Sequence, residues 1–269
     1  MKKILSLILA GVLALSITSC GDAKSDDKTI TVAATPAPHA EILEQCKSLL
    51  KDKGYDLEIK VMNDYITPNT ATEDGEVDAN YFQHINYLNN FNAENGTHLV
   101  NVAGIHYEPF GVYSNSLKSL SELADGATIA VPNDPTNEAR ALLLLADNGI
   151  IKLTEGVGIN ATTKDIIDNP KNVQIKEMEA ALLPSVLDEV AAAVINGNYA
   201  LGAGLKVADA IAVENSESVA IKNEYVNILV VKEGNEELPK IKALIEVLTS
   251  DEIANYINDN YNGAVVPMR

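Results

Sequence analysis

One pattern occurs twice in this chain, and it restricts the fold more than any other feature. TITVAA (29–34) alternates apolar and polar residues as a half-buried strand does. A helix is predicted to follow, with Pro38 near its start, Ile42, Leu43, Cys46, Leu49 and Leu50 on one face, and Gly54 ending it. LEIKVM (57–62) then alternates again. These segments make a β-α-β unit whose two strands are expected to be parallel neighbours. Near residue 128 the theme restarts: TIAV (128–131) runs into a helix over 132–148, and residues 173–178 alternate as a strand. The apolar runs 190–195 and 226–231 read as buried strands, and 241–256 as one C-terminal amphipathic helix. The expected fold is α/β, built as two lobes with a cleft between them.

The N-terminal residues bear on location. Lys2 and Lys3 precede an apolar run over 4–17 and then Thr18-Ser19-Cys20, the order of a secretory signal. That run is shorter than the ~20 apolar residues a spanning helix needs. Ile-Thr-Ser-Cys also resembles a bacterial lipobox, in which cleavage leaves Cys20 as a lipid-carrying N-terminus. Residues 1–19 are therefore expected to be a lipoprotein signal peptide and 20–28 (CGDAKSDDK) a lipid-anchored tether. The folded part is expected in the cell envelope, held to a membrane and facing away from the cytoplasm. Cys46 is the other cysteine, so no internal disulfide is expected, and its place on the apolar helix stripe marks it as a buried thiol. The chain's net charge of −18 becomes −20 once the two signal lysines are gone, which argues against nucleic acid as a partner.

Ligands of open α/β sheets lie beyond the carboxyl ends of the strands. That rule nominates residues 63–65, 133–140, 196–199 and the start of 226–231, with the polar, aromatic stretch 81–84 ahead of a helix. Arg140 stands out there. The chain has 20 cationic residues, of which only Arg140 and Arg269 are arginine. Asp134 and Pro135 are good cap and first-turn residues, and a helix N-terminus favours an anion. An arginine fork in its first turns fits a carboxylate gripped at two points, which lysine cannot reproduce. The plainer reading is a surface pair with an acid. Asn227, inside an apolar run, offers an oxygen to an ammonium or is satisfied by neighbouring backbone. Asn196 braces a carboxylate or simply forms a turn. Tyr65, Phe82 and His84 either line a flat slot for a small apolar side chain or are ordinary core. The four histidines (39, 84, 98, 106) form no H-x-x-x-H pair and have no cysteine partners, so no metal is expected, and no cofactor either. G-x-S-x-G and G-x-x-x-x-G-K-[ST] are both missing. An exported enzyme, with Asp64, Asp134 and Glu138 as its acids, is the reading from another class.

MNDYITPN (62–69), DANYFQHINYL (78–88), VPNDPTNEARALLLL (131–145), DNPKNVQIKEMEA (168–180), AAVINGNYA (192–200), EYVNILVV (224–231) and YNGAVVP (261–267) together resemble the methionine-binding lipoproteins of bacterial ABC importers, the NlpA/MetQ family. The resemblance implies a type II periplasmic-binding-protein fold, with 29–113 and 224–269 as one lobe and 114–223 as the other. It implies methionine, L-methionine first, as ligand, with Arg140 and Asn196 at the carboxylate, Asn227 at the amino group, and Tyr65, Phe82 and His84 around the side chain. A permease and an ATPase are the implied partners, and no catalysis is implied. D-methionine, a methionine-containing dipeptide or another small amino acid is the alternative ligand. Residues 202–224 drift from the family pattern, so no pocket residue is assigned there.

Overall fold

Strand β1 (Thr29–Ala34) pairs in parallel with both β2 (Asp56–Val61) and β3 (Ala79–His84), as a β-α-β unit requires. The linking helix α1 (Glu41–Asp52) buries Ile42, Leu43, Cys46 and Leu50 against that sheet. Cys46 is fully buried, and burial pushes its thiol up to about 12. These elements belong to a computed structural model that describes residues 28–215 and 223–268. The signal, Cys20 and most of the tether lie outside the described residues. No helix among the described residues is long and apolar enough to cross a membrane.

After the short helix α2 (Thr67–Glu73) and α3 (Ile85–Asn95), the chain returns as β4 (Leu99–Tyr107) and then crosses over. Strands β5 (Gly111–Tyr113), β6 (Thr128–Pro132), β9 (Gln174–Met178), β10 (Ala192–Ile195) and β11 (Ala212–Val213) form a second sheet, in the order β11-β5-β10-β6-β9. Between β6 and β9 run α4 (Pro135–Asp147) and the ribbon of β7 (Lys152–Leu153) with β8 (Ile166–Asp168). The chain then crosses back to β12 (Val226–Lys232), which joins the first sheet between β4 and β3, with β13 (Val266–Pro267) at the edge.

Each sheet has its own core. Val32, Leu43, Leu50, Leu229 and Leu244 fill the first, and Ile129, Val131, Leu142, Leu145 and Val194 the second. The molecule is thus the two-lobed α/β fold expected. Two expectations change in detail. Strand β5 pairs with β10 and β11, so the first crossing lies at 108–110 and not after 113. The C-terminal helix is two helices, Pro239–Leu248 and Asp251–Tyr261, because the Ser250 hydroxyl accepts from Ile253 N and caps a new start followed by Asp251 and Glu252.

Candidate functional site

The carboxyl ends of β1, β3, β6 and β10 face one another across the lobes, and the residues just past those ends build the site. Beyond β6, Asp134 caps α4: its Oδ1 accepts from Asn137 N at 3.0 Å. The same carboxylate accepts Asn137 Nδ2 on both oxygens, at 3.0 Å each, and the Thr136 hydroxyl at 2.9 Å. An acceptor of this kind fixes the Asn137 amide with its nitrogen toward Asp134 and its oxygen toward the cleft.

That oxygen organises its neighbours. His84 Nδ1 accepts from Tyr87 N at 3.1 Å, which puts the ring proton on Nε2, and Nε2 donates to Asn137 Oδ1 at 3.1 Å. Asn196, the cap residue of the short helix α5 (Gly197–Gly202), gives its Nδ2 to the same oxygen at 2.8 Å. Asn196 must therefore turn its Oδ1 away, and that buried atom has no hydrogen-bond partner among the described residues.

Arg140 lies one turn further along α4 and is 3 % exposed. Its Nε donates to Glu214 Oε1 at 3.0 Å and its Nη2 to Glu214 Oε2 at 2.5 Å. Nη2 also donates to the Glu108 carbonyl at 2.9 Å. The guanidinium is stacked between the rings of Tyr225, 4.1 Å away, and Phe110, 4.8 Å away. A guanidinium has five N–H donors. Three are used here, so only Nη1 is left for a ligand. The expected two-point grip on a ligand carboxylate is thereby corrected: the protein's own Glu214 holds that edge. Neither is Arg140 in a surface pair, since both side chains are buried.

Tyr65 stands among Phe82, Tyr87 and Tyr199, with ring centroids 5.7, 5.6 and 5.0 Å away. Its hydroxyl donates to Asn198 Oδ1 at 2.6 Å, and Tyr199 OH donates to the Asn63 carbonyl at 3.2 Å. Both bonds cross the cleft, as does the bond from His84 to Asn137, so the lobes are closed on each other.

The floor of the site was not visible in the sequence. Asn227 Oδ1 lies 3.0 Å from His39 Nε2, so its partner is a side chain rather than neighbouring backbone. His106 Nε2 donates to Glu108 Oε1 at 2.8 Å, with Tyr81 OH on its other ring nitrogen. Burial holds His39 down to about 4 and His84 and His106 to about 3, so all three rings are neutral at pH 7. The same burial pushes the Glu108 carboxyl up. His39, His106 and Glu108 put three donor atoms within 4.8 Å of one another, the one such group among the described residues. Hydrogen bonds already engage both ring nitrogens of His39 and of His106, with Thr35, Asn227, Tyr81 and Glu108, so neither ring offers a free nitrogen to a metal ion.

Gly197 is required by this packing. A Cβ there would sit 2.7 Å from Glu108 Oε2 and 2.8 Å from Glu108 Cβ. Gly197→Ala is expected to lower stability by about 1–3 kcal/mol, as overpacking does. A urea-unfolding midpoint unchanged from that of the unsubstituted protein would contradict this contact.

All six residues singled out in the sequence, Tyr65, Phe82, His84, Arg140, Asn196 and Asn227, line one cavity. Gln83, Tyr87, Glu108, Asn137, Gly197 and Asn198 complete it. The acids considered for catalysis do not line it. Asp64 accepts from Ile66 N and Thr67 N in a turn, Asp134 caps α4, and Glu138 accepts from Thr163 N.

The model of the NlpA lipoprotein family matches residues 30–269. The chain belongs to that family. Among its NlpA relatives, the methionine-binding lipoprotein MetQ of Bacillus subtilis is 46% identical over 277 residues, 100% of this chain and 99% of MetQ. A lipoprotein structure from Ruminococcus gnavus is 60% identical with a TM-score of 0.88, covering 90% of this chain and 100% of that one. A nutrient-binding protein from Burkholderia cenocepacia, solved bound to methionine, is 40% identical with a TM-score of 0.85, covering 89% of this chain and 100% of its own. The NlpA match spans both lobes and both crossings, including the stretch that supplies Glu214.

Proposed function

We propose that this protein is the substrate receptor of an ABC importer, that it binds methionine between its lobes, and that it hands the ligand on unchanged. The observation that carries the reading is the closed inter-lobe cavity, polar at one end and aromatic at the other, in which the six nominated residues meet. Its enclosure by hydrogen bonds between the lobes, and a lining of aromatic rings with a few convergent polar groups, suit one small solute. The aromatic end suits an unbranched thioether. Each buried methylene contributes about 0.8 kcal/mol, and sulfur against aromatic rings roughly 0.3–1.5 kcal/mol more. The methionine-bound relative supports the same ligand.

In this reading, Arg140 Nη1 meets the ligand carboxylate, and Tyr65, Phe82 and His84 surround the side chain. Cleavage before Cys20 and lipidation of its sulfur and amine would hold the receptor on the outer side of a membrane, beside its permease and ATPase partners. No catalytic step is assigned: Asp64 holds a turn, Asp134 caps α4 and Glu138 accepts from Thr163 N. The test is titration calorimetry of protein stripped of ligand by unfolding and refolding, using L-methionine, D-methionine and a methionine-containing dipeptide. L-methionine is expected to bind at one site and most tightly. Saturable binding of the dipeptide alone would replace the proposed ligand.

A further inference from the structure

The cavity contains two acceptors that touch no positively charged group among the described residues. The charge of Arg140 is matched by Glu214, through Nε and Nη2 on the far side of the guanidinium. Glu108 has no such ion pair: the Arg140 charge acts on its carboxylate only through space. Arg140 touches its backbone carbonyl, while its carboxylate meets His106 Nε2 at 2.8 Å, His39 Nε2 at 3.4 Å and the backbone N–H of Asn198. Both imidazoles are neutral, so these contacts supply hydrogen bonds and no counter-charge. A buried carboxylate in that position is strongly disfavoured unless a cation joins it.

The second acceptor is Asn196 Oδ1. It is buried without a partner, and the chain of bonds from Asp134 through Asn137 fixes its direction. Gly197 joins the two acceptors: it follows Asn196 in the chain and lies directly against the Glu108 carboxylate. Both Glu108 and Asn196 line the cavity. An alkylammonium carries three N–H donors and one positive charge, which is what a carboxylate and an amide oxygen side by side accept.

We propose that Glu108, together with Asn196 Oδ1, forms the ammonium site, so that this receptor requires a ligand with a free, protonated α-amino group. Asn196 then serves the amino group rather than the carboxylate, and Asn227, whose oxygen is engaged by His39, is a positioning residue behind it. The site admits a free amino acid and excludes N-acylated amino acids, peptides in which methionine follows another residue, and α-hydroxy or α-keto acids. This inference rests on methionine being the ligand.

The experiment is a calorimetric cycle on the full chain, pairing wild type and Glu108→Gln with methionine and its α-hydroxy analogue. The analogue keeps the thioether and the carboxylate and replaces only the ammonium. Wild type is expected to prefer methionine by about 30-fold or more, the loss usual when one member of a buried charge pair is removed. In Glu108→Gln that preference is expected to shrink to within about threefold. Equal weakening of both ligands would make Glu108 a structural residue, and an undiminished preference would place the ammonium elsewhere; either overturns the inference. Should Glu108→Gln not fold, wild type answers alone with methioninamide, which keeps the ammonium, and N-acetylmethionine, which keeps the carboxylate. Tighter binding of methioninamide is expected, and the reverse order overturns the ammonium site. Failure of wild type to bind methionine at all removes the proposed ligand, a result distinct from a missing preference.

Discussion

Arg140→Met is expected to lower the unfolding free energy by about 3–5 kcal/mol, because it leaves Glu214 buried with no cation beside it. The side chain does more than neutralise a charge. It touches Tyr107, Glu108 and Phe110 at the first crossing between the lobes, and Glu214 and Tyr225 at the second. Losing it therefore loosens both connections at once. Arg140→Lys should recover little, since an ammonium cannot satisfy both Glu214 oxygens and the Glu108 carbonyl in one plane. Replacing Glu214 by leucine as well removes the stranded charge, so the double variant is expected to be more stable than Arg140→Met alone. Urea unfolding of the three variants measures this. A loss below about 1 kcal/mol in Arg140→Met, or strict additivity in the double variant, would contradict the buried pair. Ligand affinity should fall in all three, because Nη1 is the donor left facing the cavity.

Acid is expected to unfold this protein steeply. His39, His84 and His106 stay neutral in the fold down to about 4, 3 and 3, whereas an unfolded chain protonates them near 6.5. The unfolded state thus binds more protons below pH 6.5, and stability falls as pH falls. This contribution is complete above pH 6.5. It is lost progressively from there toward about pH 4 for His39, and toward about pH 3 for the other two. Glu108, Asp134 and Glu138 act in the opposite sense, because burial raises their carboxyls and the folded state takes up their protons first. Between pH 6 and 5 the three histidines take up protons in the unfolded chain and not in the fold. Stability is expected to drop by about 2–3 kcal/mol across that one pH unit, from roughly 1.4 kcal/mol per titrating group with allowance for opposing terms. Urea midpoints at pH 7, 6 and 5 test this, and a curve flat to pH 5 would mean that the three rings are not buried neutral.

The lobes were legible because their pattern is local. Alternation at 29–34 and 57–62 around an apolar helical stripe is decided within short windows, and the same holds for β6 with α4. The two-helix C-terminus was missed because the apolar spacing continues through Thr249 and Ser250, and only the cap distinguishes a break from a continuous face. The first crossing was misplaced because Gly111–Tyr113 is too short to show a period of its own.

The site divides in the same way. Residues following strands could be named from strand ends, and all six reach the cavity. Glu214 and Glu108 could not. Glu214 lies in a stretch without pattern, 74 positions from the arginine it holds. Glu108 becomes a site residue only when β4, the turn after β1 and α5 meet. The same gathering explains the histidines: His39 and His106 have no metal-like spacing, yet two different segments set their rings 5.0 Å apart. Arg140 stands out in the sequence by its rarity, which does not reveal what its Nε and Nη2 edge holds. A planar fork was indeed needed, but its partner is Glu214 within the protein.

The most direct test is to ask what the cavity holds. Native mass spectrometry of the purified protein, followed by denaturation and identification of the released molecule, should yield one methionine per chain, chemically intact. An empty protein that also gives no calorimetric heat with added methionine would contradict the account, leaving a two-lobed receptor fold whose aromatic slot serves another ligand.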